Sequence, residues 1–296
     1  MAAEKGISLC GVCRQLGYSK QAYYQSLSRK KKTRSNHQQI KRQVLSVRHQ
    51  LPRLGTRKLY KMLGEEFRRQ GLKLGRDGLF ALLREESLLI TRKRKYVQTT
   101  DSSRWMRQHP NLAKGMEVNR PEQLWVADIT YITTRQGYGY IHLITDAYSK
   151  KIMGYRLSNS LAASSTVEAL QMAIKNRAYT AALIHHSDRG LQYCSREYTD
   201  MLRLNNIGIS MTQNGSPYDN AVAERINGIL KQEFGLDDTF ETMQEAEKQI
   251  IEGVFLYNQL RPHMSNGLLT PQQMHCQSQR KPKAWHKKTI WTFEWF

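Results

Sequence analysis

Gln123-Leu124-Trp125-Val126-Ala127-Asp128-Ile129-Thr130-Tyr131-Ile132 reads as a β-strand with one residue out of place. The run is nearly continuously apolar, the pattern of a central strand buried on both faces of its sheet. Asp128 sits in the middle of it. An unpaired carboxylate in such a place costs on the order of several kcal/mol, so a cation or strong donors must stand beside it.

Downstream, Gly137-Tyr138-Gly139 leads into a strand over 140–144, and a third strand follows at 152–157. Connections this short predict an antiparallel meander. The pattern then alternates: a helix over 165–177, a strand over 182–186, a helix over 195–204 and a strand over 207–211. Pro217-Tyr218-Asp219 opens a helix that runs to about Phe234, and a last helix covers 243–257. The order β-β-β-α-β-α-β-α predicts an α/β fold, a ribonuclease-H-like mixed five-stranded sheet with flanking helices.

Upstream of Gln123 the periodicity is helical. A helix over 9–16, the turn Gly17-Tyr18-Ser19 and a helix over 20–27 capped by Ser19 suggest a helix-turn-helix within residues 1–35. A long helix over 38–50 precedes a second such unit, placed at 36–95. There Thr56 caps a helix through Leu59, Met62, Leu63 and Phe67 that Gly71 ends. Leu74-Gly75-Arg76-Asp77 starts its partner, with Leu79, Leu82 and Leu83 inside and Arg76 and Arg84 outside. Residues 96–114 read as a linker, 115–278 as the α/β domain, and 279–296 as a basic, aromatic tail.

Charge divides the chain in the same way. Residues 1–114 carry 27 Lys+Arg against 7 Asp+Glu, whereas residues 115–278 carry 14 against 17. A basic arm on a near-neutral body reads as a nucleic-acid-binding region, and tandem helix-turn-helix units favour double-stranded DNA over RNA. Arg57, Lys58, Arg76 and Arg84 are the expected contacts, with the run Arg92-Lys93-Arg94-Lys95 resting on phosphates. No stretch approaches the roughly 20 apolar residues of a membrane span, so no membrane role is expected. Four cysteines in so long a chain make no disulfide framework, and the start lacks the apolar segment of a secretory signal. The expected location is the bacterial cytoplasm, at the nucleoid.

Two further carboxylates belong with Asp128. Asp188 follows a strand in His185-His186-Ser187-Asp188-Arg189-Gly190. If the two strands are parallel neighbours, both acids reach one sheet edge. On the helix opened by Pro217, residues Asn220, Glu224, Asn227 and Lys231 recur at i, i+4, i+7 and i+11 and share a polar stripe. Three carboxylates at one edge repel one another unless cations neutralise them, and hard oxygen donors favour Mg²⁺ or Mn²⁺. Two such ions roughly 3.5–4 Å apart serve in-line phosphodiester displacement. Lys231 and Asn220 would then lie against the DNA. Taken singly, Asp128 also reads as a hydrogen-bonded structural acid, Asp188 as a turn cap and Glu224 as a surface helix residue. The case rests on the three falling on the right elements together.

Those segments, with Ser216-Pro217-Tyr218-Asp219-Asn220-Ala221-Val222-Ala223-Glu224, resemble the catalytic core of retroviral-integrase-type DDE recombinases. They are most similar to the OrfB or fused OrfAB transposases of a bacterial insertion-sequence family. The 35 residues between Asp188 and Glu224 agree with that family, as do Lys231, Tyr257-Asn258-Gln259-Leu260-Arg261-Pro262-His263 and Thr270-Pro271. The resemblance implies that Asp128, Asp188 and Glu224 hold two Mg²⁺ (or Mn²⁺) ions. It implies 3′-end cleavage and strand transfer at the terminal inverted repeats of a mobile element into target DNA. It also implies that one end is cut first and joined near the other, leading toward a circular intermediate. Family enzymes are often made by frameshifting, so the chain is either a downstream product or a short complete form. Arg225 departs from the small residue usual after the glutamate and is a further candidate DNA contact. Synapsis of two ends predicts self-association, as a dimer or larger assembly on DNA.

Two rival readings stay open at this point: a nuclease of the same fold that cuts without joining, and a DNA-binding regulator with an inactive core. Other signals carry less. Cys10 and Cys13 have metal-ligand spacing but no second pair and read as packing of a short helix. His185 is expected partly buried at the strand end and His186 along the site edge. Asp146 is a weak fourth carboxylate, and Trp285, Trp291, Phe293, Trp295 and Phe296 in the tail suit base stacking or docking.

Overall fold

Ser8 opens the described part of the chain by accepting the Gly11 amide at the start of α1 (Leu9–Gln15). The computed structural model describes residues 8–91, 109–212 and 221–277. They form two compact units, one of residues up to Ile90 apart from Leu51–Arg53, the other of those three residues and the chain from Thr91 onward. The basic run 92–95, Asn220 and the aromatic tail lie outside the described residues.

In the first unit the Ser19 hydroxyl accepts the Ala22 amide at 3.0 Å and opens α2 (Lys20–Gln50). Sequence reading expected separate helices at 20–27 and 38–50. They are one helix, because residues 28–37 contain neither Gly nor Pro and are rich in long unbranched side chains that favour helix. The expected boundary after residue 35 therefore falls inside α2. Helix α3 (Thr56–Arg69) is capped by Gly55 without a side-chain hydrogen bond, so Thr56 is its first residue and not its cap. Thr56 turns inward instead, at 5% exposure. Gly71, at φ +69°, reverses the chain in a conformation that L side chains rarely adopt, and α4 (Arg76–Glu85) follows. Ile40 and Val44 of α2, Leu59 and Phe67 of α3, and Leu79, Leu82 and Leu83 of α4 are all buried.

The second unit is built on β1 (Leu124–Thr134), β2 (Gly137–Asp146) and β3 (Ile152–Ser158), an antiparallel meander. After α5 (Ala163–Lys175) come β4 (Leu183–Ser187), the single turn α6 (Leu191–Cys194), α7 (Arg196–Leu204), β5 (Ile207–Met211) and α8 (Ala221–Glu233). Two-residue β6 (Thr239–Phe240), α9 (Met243–Gln259) and α10 (Pro271–His275) complete it. The sheet order β3-β2-β1-β4-β5, antiparallel on one side of β1 and parallel on the other, is the ribonuclease-H-like arrangement that the element order predicts. It holds six strands where five were expected. Strand β1 continues past its ladder with β4, and β6 pairs with that bare edge at Thr133 and Thr134, burying Phe240.

Alternation along β1 sends Trp125 and Ala127 into a core with α5, α7 and β5, and Leu124 and Val126 into a second layer with Ala223 of α8. The residues on both faces are therefore apolar, as a doubly covered strand requires. Helix α5 lies directly on β3 at Gly154. A Cβ there would stand 2.1 Å from the Ala169 carbonyl oxygen, so only glycine permits the approach.

Candidate active site

Asp128 occupies the middle of β1, opposite Leu143 of β2. On the other side β1 pairs with β4 in parallel register, Trp125 with His185 and Val126 with His186. Two more places along that register bring Asp188 level with Asp128, at the point where β4 has ended and its ladder no longer covers the edge. The conditional geometry of the sequence reading, parallel neighbours delivering both acids to one edge, is the geometry found.

Asp128 and Asp188 are each half-buried and, among the described residues, accept few hydrogen bonds. Asp128 accepts the Ile129 amide at 3.0 Å and the Asn227 side-chain amide at 2.7 Å. Burial, and then the negative charge of Asp188, push its carboxyl up to about 7 against those two hydrogen bonds, with Glu224 adding to the rise. Burial also raises Asp188, against the hydrogen bond it accepts from the Gly190 amide at 3.0 Å. Burial, and then the charge of Asp188, raise the Tyr193 phenol well above its ordinary value, and its buried hydroxyl has no hydrogen-bond partner among the described residues.

Glu224 lies in the first turn of α8 with its side chain exposed. Its helix is anchored by apolar Ala223, Ile226, Ile229 and Leu230, which leave the stripe of Glu224, Asn227 and Lys231 turned toward β1. Among the described residues no three metal-ligating side chains converge into a closed cage, so Glu224 is near the two aspartates without being gathered against both. Lys231 Nζ lies 4.1 Å from the centroid of the Tyr131 ring, half-buried, its ammonium pKa lowered by burial against the pull of Asp237 and Asp128. Arg225 is exposed beside Glu224.

Sequence reading missed two partners. Asn227 was seen on the stripe but not as the residue that holds Asp128, because only the packing of α8 on β1 brings the two together. Tyr131 read as one more strand aromatic. Two histidines need correction. His185 is fully buried, hydrogen-bonded to the Tyr198 hydroxyl at 2.8 Å, and pushed down to about 3 by burial. His186 does not line the site edge: it is fully buried, with Nδ1 2.8 Å from the Ser210 hydroxyl. Asp146, the weak fourth candidate, is fully buried at the far end of β2, opposite Trp125, and accepts the amides of Glu122 and Ser149, both at 2.8 Å.

The expected DNA contacts of the first unit are distributed over α3 and α4. Arg57, Arg76 and Arg84 are exposed and Lys58 is half-buried. Arg76 pairs with Asp77 at 2.9 Å. Cys13 is buried and Cys10 exposed, and neither forms a disulfide.

Two family models, both described as integrase core domain, match residues 118–217 and 205–271, the span that carries the three acids. The chain is 34% identical over 264 residues to the 31 kDa protein of insertion element IS600 from Shigella sonnei, covering 88% of this chain and 96% of that one. It is 33% identical over 207 residues to the transposase of insertion sequence IS629, also from Shigella sonnei, covering 70% of this chain and 68% of that one. The chain belongs to the insertion-sequence transposases. Its catalytic activity is that of a DNA transposase, a polynucleotidyl transferase, and an integrase core implies dependence on a divalent metal. Among solved structures, the transposase is similar to the HTLV-2 integrase catalytic core, at 19% identity and a TM-score of 0.43, over 53% of this chain and 97% of that one. No helix among the described residues is long and apolar enough to cross a membrane.

Proposed function

We propose that the transposase cleaves 3′ ends at the inverted repeats of its element and joins them to target DNA, with Asp128, Asp188 and Glu224 holding two Mg²⁺ or Mn²⁺ ions. The observation that carries this reading is the pair Asp128 and Asp188, brought level by the β1–β4 register and left with too few donors for two half-buried negative charges. Hard carboxylate oxygens that repel one another fit a hard dication better than any alternative occupant. When bound, such ions activate the attacking water or 3′-hydroxyl and stabilise the leaving oxygen.

The protein's own groups set the geometry. Asn227 fixes one oxygen of Asp128, and the Ile129 amide the other. Glu224, exposed on the first turn of α8, is free to swing inward. Lys231 offers a cation to the scissile phosphate, steadied on Tyr131. The pair α3 and α4 acts as the helix-turn-helix that reads the ends, through Arg57, Lys58, Arg76 and Arg84. The domain division follows: a DNA-binding arm, a linker and a catalytic core over 115–278. Joining two ends calls for more than one site, so the working form is a dimer or larger assembly on DNA. Its place of work is the bacterial cytoplasm, at the nucleoid.

The test is a joining assay on labelled duplexes carrying the element's ends, in Mg²⁺, Mn²⁺ and EDTA. Joined product is expected with either metal and not with EDTA. Asp188→Asn should lose the several kcal/mol of transition-state stabilisation that a bound ion supplies, about a thousandfold in rate. Asn227→Ala should lose about 10- to 100-fold, as for other groups that orient a metal ligand. Cleavage without joining would favour the nuclease reading, and binding without cleavage the regulator.

A further inference from the structure

Among the described residues, α1 is the helix beside the first half of α2, and it leaves that half exposed. Every residue from Arg14 to Ser35 is exposed, and the helix buries only Ile40 and Val44, in its second half. Between Glu4 and Glu65 the sequence contains no Asp or Glu. At roughly 100° per residue, Lys20, Lys30, Lys31, Arg34 and Arg42 fall within about a third of the helix circumference, centred about 120° from the direction of Ile40 and Val44. All five are exposed, and none has an acidic partner among the described residues. Tyr23, Tyr24 and Leu27 lie in the same arc at 39%, 53% and 44% exposure, the two tyrosines edge to face at 5.6 Å.

Such a helix is unfavourable by itself. Lys30 and Arg34 are neighbours at i, i+4, and Lys31 and Arg34 at i, i+3, and like charges at these spacings repel. With little buried surface to offset that repulsion, the segment is suited to a polyanion. The stripe from Lys20 to Arg42 runs about 33 Å along the helix axis, and duplex DNA presents one negative charge per roughly 1.7 Å. Tyrosine and leucine side chains between the cations suit the sugar edges of that backbone.

We propose that this face of α2 is a sequence-independent contact for the sugar-phosphate backbone of duplex DNA, separate from the α3–α4 pair. It rests on the chain acting on DNA but not on the assignment of the metal ligands. It would hold any duplex equally, and so suits target DNA as well as element ends.

The experiment is fluorescence anisotropy with the full chain in EDTA, on an element-end duplex and an unrelated duplex, between 50 and 200 mM salt. Chemistry is thereby excluded, so failure of the joining assay would not bear on it. Lys30→Gln, Lys31→Gln and Arg34→Gln together should flatten the slope of log affinity against log salt by about 2.7 on both duplexes, about 0.9 for each phosphate that is no longer neutralised. Arg29→Gln with Lys32→Gln, exposed but off the stripe, should flatten it by less than about 1. Circular dichroism checks that both variants keep their helix. A triple variant with the wild-type slope, an off-stripe pair costing as much per charge, or a loss confined to the element-end duplex would each overturn the proposal.

Discussion

Beside the start of β1, Glu122 and Asp146 are both fully buried and fully supplied, while farther along that strand Asp128, with Asp188 just past the end of the neighbouring β4, is half-buried and, among the described residues, accepts fewer hydrogen bonds. Glu122 accepts the amides of Ala178 and Tyr179 at 2.8 and 3.0 Å, with Arg177 at 3.7 Å and His275 at 3.2 Å. Asp146 accepts the Ser149 amide and hydroxyl at 2.8 and 2.6 Å and the Glu122 amide at 2.8 Å, with His275 3.5 Å away. Through His275 and Tyr179, whose hydroxyl donates to the His275 carbonyl, this network fastens α10 to the sheet. The difference teaches how to tell the two kinds of buried acid apart. A structural acid is surrounded by backbone N–H groups that have nowhere else to go, whereas the pair proposed to hold metal is left with fewer such donors.

The comparison can be broken at either site. The largest effect on stability is expected from Asp146→Ala, which leaves the Ser149 and Glu122 amides without an acceptor and His275 without one of its two carboxylates. It should cost about 3 kcal/mol in denaturant unfolding, and a cost under about 1 kcal/mol would show that the network is not a staple.

Asp128→Asn should act in the opposite direction. Burial and the charge of Asp188 push the native carboxyl up to about 7 from the ordinary 3.8, so metal-free wild-type stability is expected to fall as pH rises from about 4 to 7, with the penalty complete above 7. Removing the charge removes the penalty. Asn227 has a buried side-chain oxygen without a partner among the described residues and can turn its amide to accept from the new asparagine. After screening at this half-exposed position, the gain at pH 8 without metal should be on the order of 1–2 kcal/mol. It should vanish toward pH 4, and equal gains at pH 4 and 8 would show that charge is not its cause.

The smallest effect sharpens the comparison from the structural side. Burial disfavours the His275 imidazolium, but its hydrogen bonds to Asp146 and Glu122 outweigh that and raise its pKa. Its contribution is therefore complete below the ordinary histidine range near 6.5 and is lost as pH rises through the raised value. His275→Gln should erase that part of the pH dependence, so wild type and variant should differ more in melting temperature at pH 6 than at pH 9.

Much of the catalytic unit was legible in the residues. Periodicity located β1 to β5, α5 and α7 to α9 within a few positions, and Asp128 announced itself as an acid in an apolar strand. The two-residue β6 had no signal, since two residues show no period. The continuity of α2 was misread because polar residues inside an exposed helix look like a break when no core face marks their turn. His186 was misread because a strand end shows which residues are polar but not which face a neighbouring strand will cover.

Sequence by itself determined the order of elements and the segregation of 27 cations into the first 114 residues, and it singled out the three acids proposed as the site. These follow from local periodicity and from charge, which need no knowledge of what lies across space. Tertiary structure alone decided that Asp188 comes level with Asp128, that the Asn227 side-chain amide donates to Asp128, and that Asp146 belongs to a staple. Each of those depends on strand register or helix packing between residues tens of positions apart. Desolvation and Coulomb energy are set by that proximity, not by sequence neighbours.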